Sequence, residues 1–155
     1  LAQRDQMTGL YNHDTTLELI KTFLAGEGAS QKHALFMIDV NKFKLINDNY
    51  GHMPGDQVLV EVATRIRSVF RSDDIVGRIG GDEFMALIKN ISSCSLAEKA
   101  THFECTDINI DISCIIGVAL FNEYTADFEE LYRKADAAMY RAKQMDGPGF
   151  TISAE

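Results

Sequence analysis

The sequence RIGGDEFMALI, residues 78–88, places two glycines and two carboxylates between two short apolar segments. The flanking segments DIVGRI (74–79) and EFMALI (83–88) are typical of two strands joined in a hairpin. A Gly-Gly pair suits a two-residue hairpin loop, because the central positions need a positive φ that glycine adopts without steric cost. On this interpretation Asp82 and Glu83 are only the polar exit of a turn.

A second interpretation of the same stretch is functional. The missing Cβ atoms of the two glycines would let a phosphate approach the backbone closely. Asp82 and Glu83 repel each other unless a cation is near. A third carboxylate, Asp39, ends the apolar run ALFMIDV (34–40), where it is costly unless it is paired or binds a metal.

This arrangement of acids suits phosphoryl or nucleotidyl transfer. Mg²⁺ prefers one or two carboxylates together with phosphate oxygens and water. Two such ions can activate an attacking hydroxyl and hold the leaving group. Because adjacent strand residues point to opposite faces, one of Asp82 and Glu83 is expected to be a ligand and the other a base or a supporting group.

Hydrophobic periodicity predicts the other elements. The run 34–40 is almost uniformly apolar, as expected of a strand buried on both faces. The first predicted element is a helix capped by Asn12 or Asp14, with Leu17, Ile20 and Leu24 on its apolar face. It is followed by a strand at 34–40, a helix at 42–49, a turn at 51–56, a helix at 56–71 and the two hairpin strands. The remaining elements are a weak helix at 94–103, a strand at 108–121, a helix at 127–145 with Met145 on its apolar side, and a last strand from Phe150.

This order predicts an α/β (α+β) fold with a mixed central sheet of about five strands flanked by helices. The hairpin in the middle of the chain excludes a purely parallel sheet. A length of 155 residues fits one domain, residues 1–155. Because the first residue is Leu1 rather than Met, we expect a domain cut from a longer protein.

Composition narrows the possible partners. A net charge of −8 argues against nucleic acid and anionic membranes. The 3 cysteines are odd in number and lack C-x-x-C spacing, so a disulfide framework or zinc site is not expected and a reducing cytosol fits best. No apolar run approaches the roughly 20 residues of a membrane span. We therefore expect a cytoplasmic domain without direct membrane contact, in a parent protein that could itself be membrane-anchored.

Four blocks of the chain, in order, resemble the GGDEF domains. These are diguanylate cyclases, which join two GTP molecules into cyclic di-GMP and release pyrophosphate. The resemblance implies the palm-like sheet shared with class III nucleotide cyclases. The matching blocks are DQMTGLYN (5–12), IDVNKFKLINDNYGHMPGD (38–56), RIGGDEF (78–84) and RKADAAMYRAK (133–143).

The resemblance implies a metal and catalytic role for four residues. Asp39, the carbonyl of Val40, Asp82 and Glu83 would hold two Mg²⁺ (or Mn²⁺) ions per active site. Asp82 and Glu83 would also help to activate the 3′-hydroxyl as catalytic residues.

The resemblance also implies substrate-binding residues. Asn47 and Asp56 would read guanine, since an amide offers a donor and an acceptor and a carboxylate accepts from ring N–H and amino groups. Phe43 and Lys44 would lie along the triphosphate, and Lys143 would neutralise its outer charge. Without the resemblance, the favoured interpretation of Asn47 and Asp56 is as helix caps, and that of Lys143 is as solvated surface.

Arg71 and Asp74 have the R-x-x-D spacing of the family's inhibitory site, where the product cyclic di-GMP binds. No arginine lies between Arg78 and Arg133 to assist them, so product binding is expected to be weak or absent. Because each 3′-hydroxyl must attack an α-phosphate held by a partner domain, the resemblance further implies a two-fold homodimer for catalysis.

The chain departs from the family pattern at several positions. Asn41 replaces a common second acid, Ile115 replaces a serine, and the segment AKQMDGPGF (142–150) lacks a basic residue near Gly147. These departures keep an alternative open: a regulatory module that binds GTP or cyclic di-GMP without turnover. Another cyclase or polymerase-like enzyme with a palm is disfavoured by the pair Asn47 and Asp56.

Overall fold

The computed structural model describes residues 3–91, 113–145 and 149–152. Within these residues none of the helices is both long and apolar enough to cross a bilayer. The predicted helix at 94–103 and residues 108–112 of the predicted strand lie outside the described ranges. The elements, in chain order, are α1 (His13–Ala25), β1 (His33–Val40), α2 (Phe43–Tyr50), α3 (His52–Val69), β2 (Ile75–Arg78), β3 (Glu83–Ile88), β4 (Cys114–Phe121), α4 (Phe128–Lys143) and β5 (Gly149–Ile152).

The strands form a single mixed sheet in the order β2-β3-β1-β4-β5. β1 lies at the centre and pairs antiparallel with both β3 and β4. β2 pairs antiparallel with β3, whereas β5 pairs parallel with β4. The predicted α/β (α+β) fold with about five strands is therefore confirmed.

Both faces of the sheet are covered by helices, which is why every residue of β1 is buried. Phe36 and Ile38 pack with α2 and α3 on one face. Leu35 and Met37 pack with α1 and α4 on the other. Since successive strand residues point to opposite faces, the apolar run of β1 supplies both cores, and polar chemistry is left to the strand ends.

The first helix forms as its sequence predicts. The side chain of Asn12, rather than Asp14, caps it by accepting the backbone N–H of Thr15 at 3.0 Å. Ile20 and Leu24 are buried on its apolar face. At the other end of the chain α4 stops at Lys143, so Met145 lies beyond it and is exposed, contrary to the prediction.

The predicted turn at 51–56 is wrong, because α3 already begins at His52. Gly51 alone separates α2 from α3, with a φ of 91° that favours glycine. Pro54 is accommodated in the first turn, where a backbone N–H has no partner within the helix. Asp56 therefore lies inside α3, and its interpretation as a helix cap is also wrong.

The hairpin differs from the two-residue loop that the Gly-Gly pair predicted. Residues 79–82 separate β2 from β3, and the N–H groups of Ile79 and Gly80 both donate to the Glu83 carbonyl, at 2.8 and 3.3 Å. Among the described glycines, positive φ occurs at Gly9 and Gly51 and not in this loop. The longer loop does not need the positive φ of a two-residue turn, so that explanation of the glycines is wrong.

Candidate active site

The ends of β1 and β3 bring three carboxylates together. Asp39 lies directly opposite Glu83 in the antiparallel pair. The backbone N–H of Val40 donates to the carbonyl of Asp82 at 3.1 Å, which closes the ladder beside them. The proximity of Asp39 to the tip of the hairpin, expected from sequence, is therefore observed.

Asp39 is two residues from Met37 on β1, and Glu83 is two residues from Met85 on β3. Because every second strand residue points to the same face, the side chains of Asp39 and Glu83 lie on the face covered by α1 and α4. There the Lys143 Nζ atom, at the end of α4, lies 2.8 Å from Asp39 Oδ2. This hydrogen bond, and the charges of the three acids, raise the pKa of Lys143. Lys143 is thus part of the acidic cluster and not free surface.

The Asp82 carboxyl shows how strongly the acids interact. Partial burial, contact with the Asp39 carboxyl, and the charges of Asp39 and Glu83 raise the pKa of Asp82 to about 6. Carboxyl groups that share a site cannot all ionise easily, since each charge opposes the next. At neutral pH the cluster therefore concentrates negative charge, and a cation would relieve the repulsion.

The donor set fits a magnesium ion that phosphate oxygens complete. Asp39 Oδ1 is buried and has no hydrogen-bond partner. Carboxylate and carbonyl oxygens are the ligands that Mg²⁺ prefers, usually one or two of them with phosphate and water. Across residues 3–91, 113–145 and 149–152, no three His, Cys, Asp or Glu side chains are arranged so that they could hold a metal ion by themselves. The protein thus offers part of a coordination shell.

A clamp that sequence reasoning missed shapes the glycine loop. The guanidinium of Arg78 donates from Nε to the Gly80 carbonyl at 3.0 Å and from Nη2 to the Gly81 carbonyl at 2.8 Å. Its Nη1 pairs with the Asp5 carboxylate at 3.2 Å. Although partial burial opposes it, hydrogen bonds from Thr8 and the charge of Arg78 hold the pKa of Asp5 below its ordinary value.

The signal for this clamp was present in the sequence. Asp5 opens the block DQMTGLYN and Arg78 opens the block RIGGDEF, and the two carry opposite charges. The pairing itself depends on Tyr11, which joins the edge of β2 through hydrogen bonds with Val76 and Arg78. That docking brings the amino-terminal block against the loop, which periodicity alone does not predict.

The predicted substrate residues Phe43, Lys44, Asn47 and Asp56 lie on α2 and α3, which cover the opposite face of the sheet. The residue before α2, Lys42, has a left-handed φ of 55°, and no side chain caps the helix. The N–H groups of its first turn consequently have no partner within the helix. The Oδ1 atom of Asn47 is buried and without a hydrogen-bond partner.

One departure from the family pattern has a structural explanation. Asn41 donates from its side chain to Ser113 Oγ at 3.2 Å and from its backbone to the Ser113 carbonyl at 2.8 Å. It therefore ties the end of β1 to the residue before β4. An amide serves this purpose as well as an acid would.

Arg71 and Asp74 are in contact, but Asp74 is already occupied. Its carboxylate is buried and accepts the backbone N–H groups of Arg71 and Lys89, at 2.9 and 3.0 Å. The Arg71 guanidinium donates to the Lys89 carbonyl and is half-exposed. Asp74 thus joins the end of α3 to β3, and the role of the pair in product inhibition stays a prediction.

A helix-covered, largely antiparallel sheet with acids at the end of its central strand is the palm-like fold of nucleotide cyclases. The family model "Diguanylate cyclase, GGDEF domain" matches residues 2–147. The chain belongs to the GGDEF domain family.

Solved structures agree with this assignment. The GGDEF domain of DgcB from Caulobacter crescentus, in complex with c-di-GMP, superposes with a TM-score of 0.86 at 25% identity, covering 100% of this chain and 98% of that one. The GGDEF domain of TpbB from Pseudomonas aeruginosa gives 0.84 at 33% identity, covering 97% and 94%.

Curated relatives include proteins with different activities. Diguanylate cyclase DgcS of Shewanella oneidensis is 36% identical over 148 residues, 92% of this chain and 50% of that protein. Cyclic di-GMP phosphodiesterase PdeR of Escherichia coli is 36% identical over 152 residues, 93% of this chain and 23% of that protein. The chain therefore spans half or less of the length of these relatives.

Proposed function

We propose that this domain is a diguanylate cyclase that condenses two GTP molecules into cyclic di-GMP. The observation that carries the proposal is the register of β1 with β3, which sets Asp39 opposite Glu83 and beside Asp82. A triphosphate needs such a site, because its charge must be met by cations held close to the reacting phosphorus. The family and the relative DgcS support the same activity.

In the proposed reaction the 3′-oxygen of one GTP attacks the α-phosphorus of the other, and the bond to the β-phosphate oxygen breaks to release pyrophosphate. The 3′-oxygen of the second GTP attacks the α-phosphorus of the first in the same way, which releases the second pyrophosphate and closes the ring. Asp82 and Glu83 would help to activate the 3′-hydroxyl as catalytic residues. Asp39, Val40, Asp82 and Glu83 would hold Mg²⁺ or Mn²⁺, two ions per site, which supply Lewis-acid stabilisation of the phosphate charge.

Substrate recognition falls to the other helix pair. Asn47 and Asp56 read guanine from α2 and α3 respectively. Phe43 and Lys44 lie along the triphosphate, where the uncapped N–H groups at the start of α2 favour an anion. Lys143, whose ammonium contacts Asp39 in this structure, would neutralise the outer charge of the triphosphate.

The chemistry requires two copies of the domain. Each holds one GTP, and the two sites face each other across a two-fold axis so that each hydroxyl meets the partner's α-phosphate. Arg71 and Asp74 are the proposed inhibitory site for cyclic di-GMP. Product binding there is expected to be weak or absent, because no arginine lies between Arg78 and Arg133 to assist them and Asp74 already accepts two backbone N–H groups.

Incubation of the purified chain with GTP and Mg²⁺, followed by chromatographic separation, tests the proposal. Cyclic di-GMP and pyrophosphate are expected from the wild type. Glu83→Gln should reduce turnover by about 100-fold or more while circular dichroism stays unchanged, because one acid in contact with the reacting atoms is lost. Wild-type turnover by this variant would overturn the assignment of Glu83.

A second candidate function is a regulatory module that binds GTP or cyclic di-GMP without turnover. The ion pair of Lys143 with Asp39 favours it, since the ammonium neutralises the acid that a metal would need. The similarity to PdeR shows that GGDEF sequences also occur in proteins with another activity. GTP recovered unchanged at high protein concentration, with tight binding, would favour this candidate.

A further inference from the structure

The Asn47 side chain lies directly against Gly55 at the joint of α2 and α3. A Cβ atom on Gly55 would lie 1.9 Å from Asn47 Oδ1 and 3.1 Å from its Cγ. The nearest atom after these is Cζ of Phe43, at 3.5 Å. One glycine therefore underlies two of the side chains proposed to bind substrate.

The backbone gives no reason for a glycine at this position. Gly55 lies inside α3, and among the described glycines the positive φ values are at Gly9 and Gly51. Glycine inside a helix is less favourable than alanine, because it loses more backbone freedom on folding. The reason for Gly55 is therefore the space that its missing side chain leaves to Asn47.

The atom that fills this space is itself unusual. Asn47 Oδ1 is buried and has no hydrogen-bond partner, and an unpaired buried acceptor is costly. If the side chain were not confined by its neighbours, it would rotate so that this oxygen faced solvent. The packing against Gly55, the residue before Asp56, instead holds the amide in one place.

We infer that Gly55 is a positioning residue for nucleobase selection, holding the Asn47 amide where it distinguishes guanine from adenine. The inference rests on the proposed function, because the base is read by Asn47 and Asp56. Gly55 touches no substrate and acts through Asn47. A methyl group at this position displaces the amide by rotation of a flexible side chain, so the fold is kept and the selectivity is lost.

Binding of the α,β-methylene triphosphates of guanosine and adenosine tests the inference, since neither analogue can be condensed. Gly55→Ala should weaken guanosine binding about tenfold, the effect of one hydrogen bond, and leave adenosine binding nearly unchanged. Asn47→Ala should do the same, and the double variant should be no worse than either single one. Gly55→Ala with wild-type guanosine preference, or additive losses in the double variant, would overturn the inference.

Two controls separate the possible failures. Gly28→Ala makes a comparable overlap, 2.3 Å from the ring of Phe23, outside the α2–α3 joint, and should keep the guanosine preference. Urea unfolding should show that Gly55→Ala changes stability less when Asn47 is already alanine; an equal change would contradict the contact. A wild type that binds both analogues equally would instead refute guanine recognition, and with it the proposed function.

Discussion

Asp82 illustrates how the site acts at the scale of single residues. Its pKa is raised by partial burial and by the neighbouring acids Asp39 and Glu83, so the ligand-free fold is held together against this repulsion. Lys143 relieves part of it through Asp39. Functional groups that oppose folding in this way are expected where a ligand later supplies the missing charge.

The raised pKa of Asp82 predicts a pH-dependent stability. Folding raises this pKa from 3.8 to about 6, so the folded chain binds more protons than the unfolded chain between these values, and stability falls as pH rises through that window. Asp82→Asn should remove the penalty. At pH 7.5 in EDTA we expect the free energy of unfolding to rise by about 1 kcal/mol, a value discounted because the side chain is partly solvated.

The same substitution at pH 4 should change stability little, because Asp82 is then protonated in the folded chain. Urea denaturation at the two pH values measures the difference. An equal loss of stability in Asp82→Asn at the two pH values would show that the folded wild type does not hold an ionised Asp82 against the repulsion of its neighbouring acids.

At the scale of elements, the position of Lys143 depends on how closely α4 packs on β4. A Cβ on Gly117 of β4 would lie 2.2 Å from the Met139 nitrogen and 2.4 Å from the Ala135 carbonyl oxygen. Ala135, one of the two residues at this contact, has a small and fully buried side chain. The backbone contact sets how closely α4 lies against the sheet, and Lys143 is the last residue of that helix.

Gly117→Ala should therefore be strongly destabilising. Backbone atoms cannot rotate away as a side chain can, so we expect a loss of about 3 kcal/mol or more in the free energy of unfolding. Gly81→Ala is the matched control, since a Cβ there meets nothing within 4 Å and the φ is not positive. Equal stability of the two variants in urea would contradict the account of the helix–sheet contact.

At the scale of the whole molecule, the two halves of the proposed site lie on opposite faces of one sheet. The acids and Lys143 lie on the side of α4, and the guanine-reading residues lie on α2 and α3. The end of β1 is where both faces meet. In the proposed reaction each domain would hold one nucleotide, so a second copy of the domain would be needed.

This requirement predicts that turnover follows dimer formation. Specific activity with GTP and Mg²⁺ should rise in proportion to the dimer fraction measured by sedimentation velocity at the same protein concentrations. The monomer should bind GTP and make no product. Constant specific activity in samples that sediment as monomers would refute the two-fold mechanism.

Much of this architecture could be predicted from the sequence, because apolar runs and periodic patterns record burial directly. The run ending in Asp39 gave the central strand, and the spacing of Ile20 and Leu24 gave the face of α1. The start of α3 could not be predicted, since a proline is tolerated in the first turn of a helix and Pro54 makes this stretch of sequence resemble a loop. The Gly55–Asn47 contact could not be predicted either, because the sequence does not show how α2 packs on α3. The opposite charges of Asp5 and Arg78 are visible in the sequence, but their pairing depends on the docking of Tyr11 at β2, which periodicity does not predict.

In the proposed function Asp39, together with the acids of the hairpin, holds a divalent cation on a nucleoside triphosphate. Electron paramagnetic resonance of Mn²⁺, titrated with protein and the α,β-methylene analogue of GTP, measures this most directly. The wild type should immobilise Mn²⁺, and Asp39→Asn should weaken binding about tenfold or more, whereas Asp14→Asn, at an exposed carboxylate, should not. Equal Mn²⁺ affinity in the wild type and Asp39→Asn would contradict the claim.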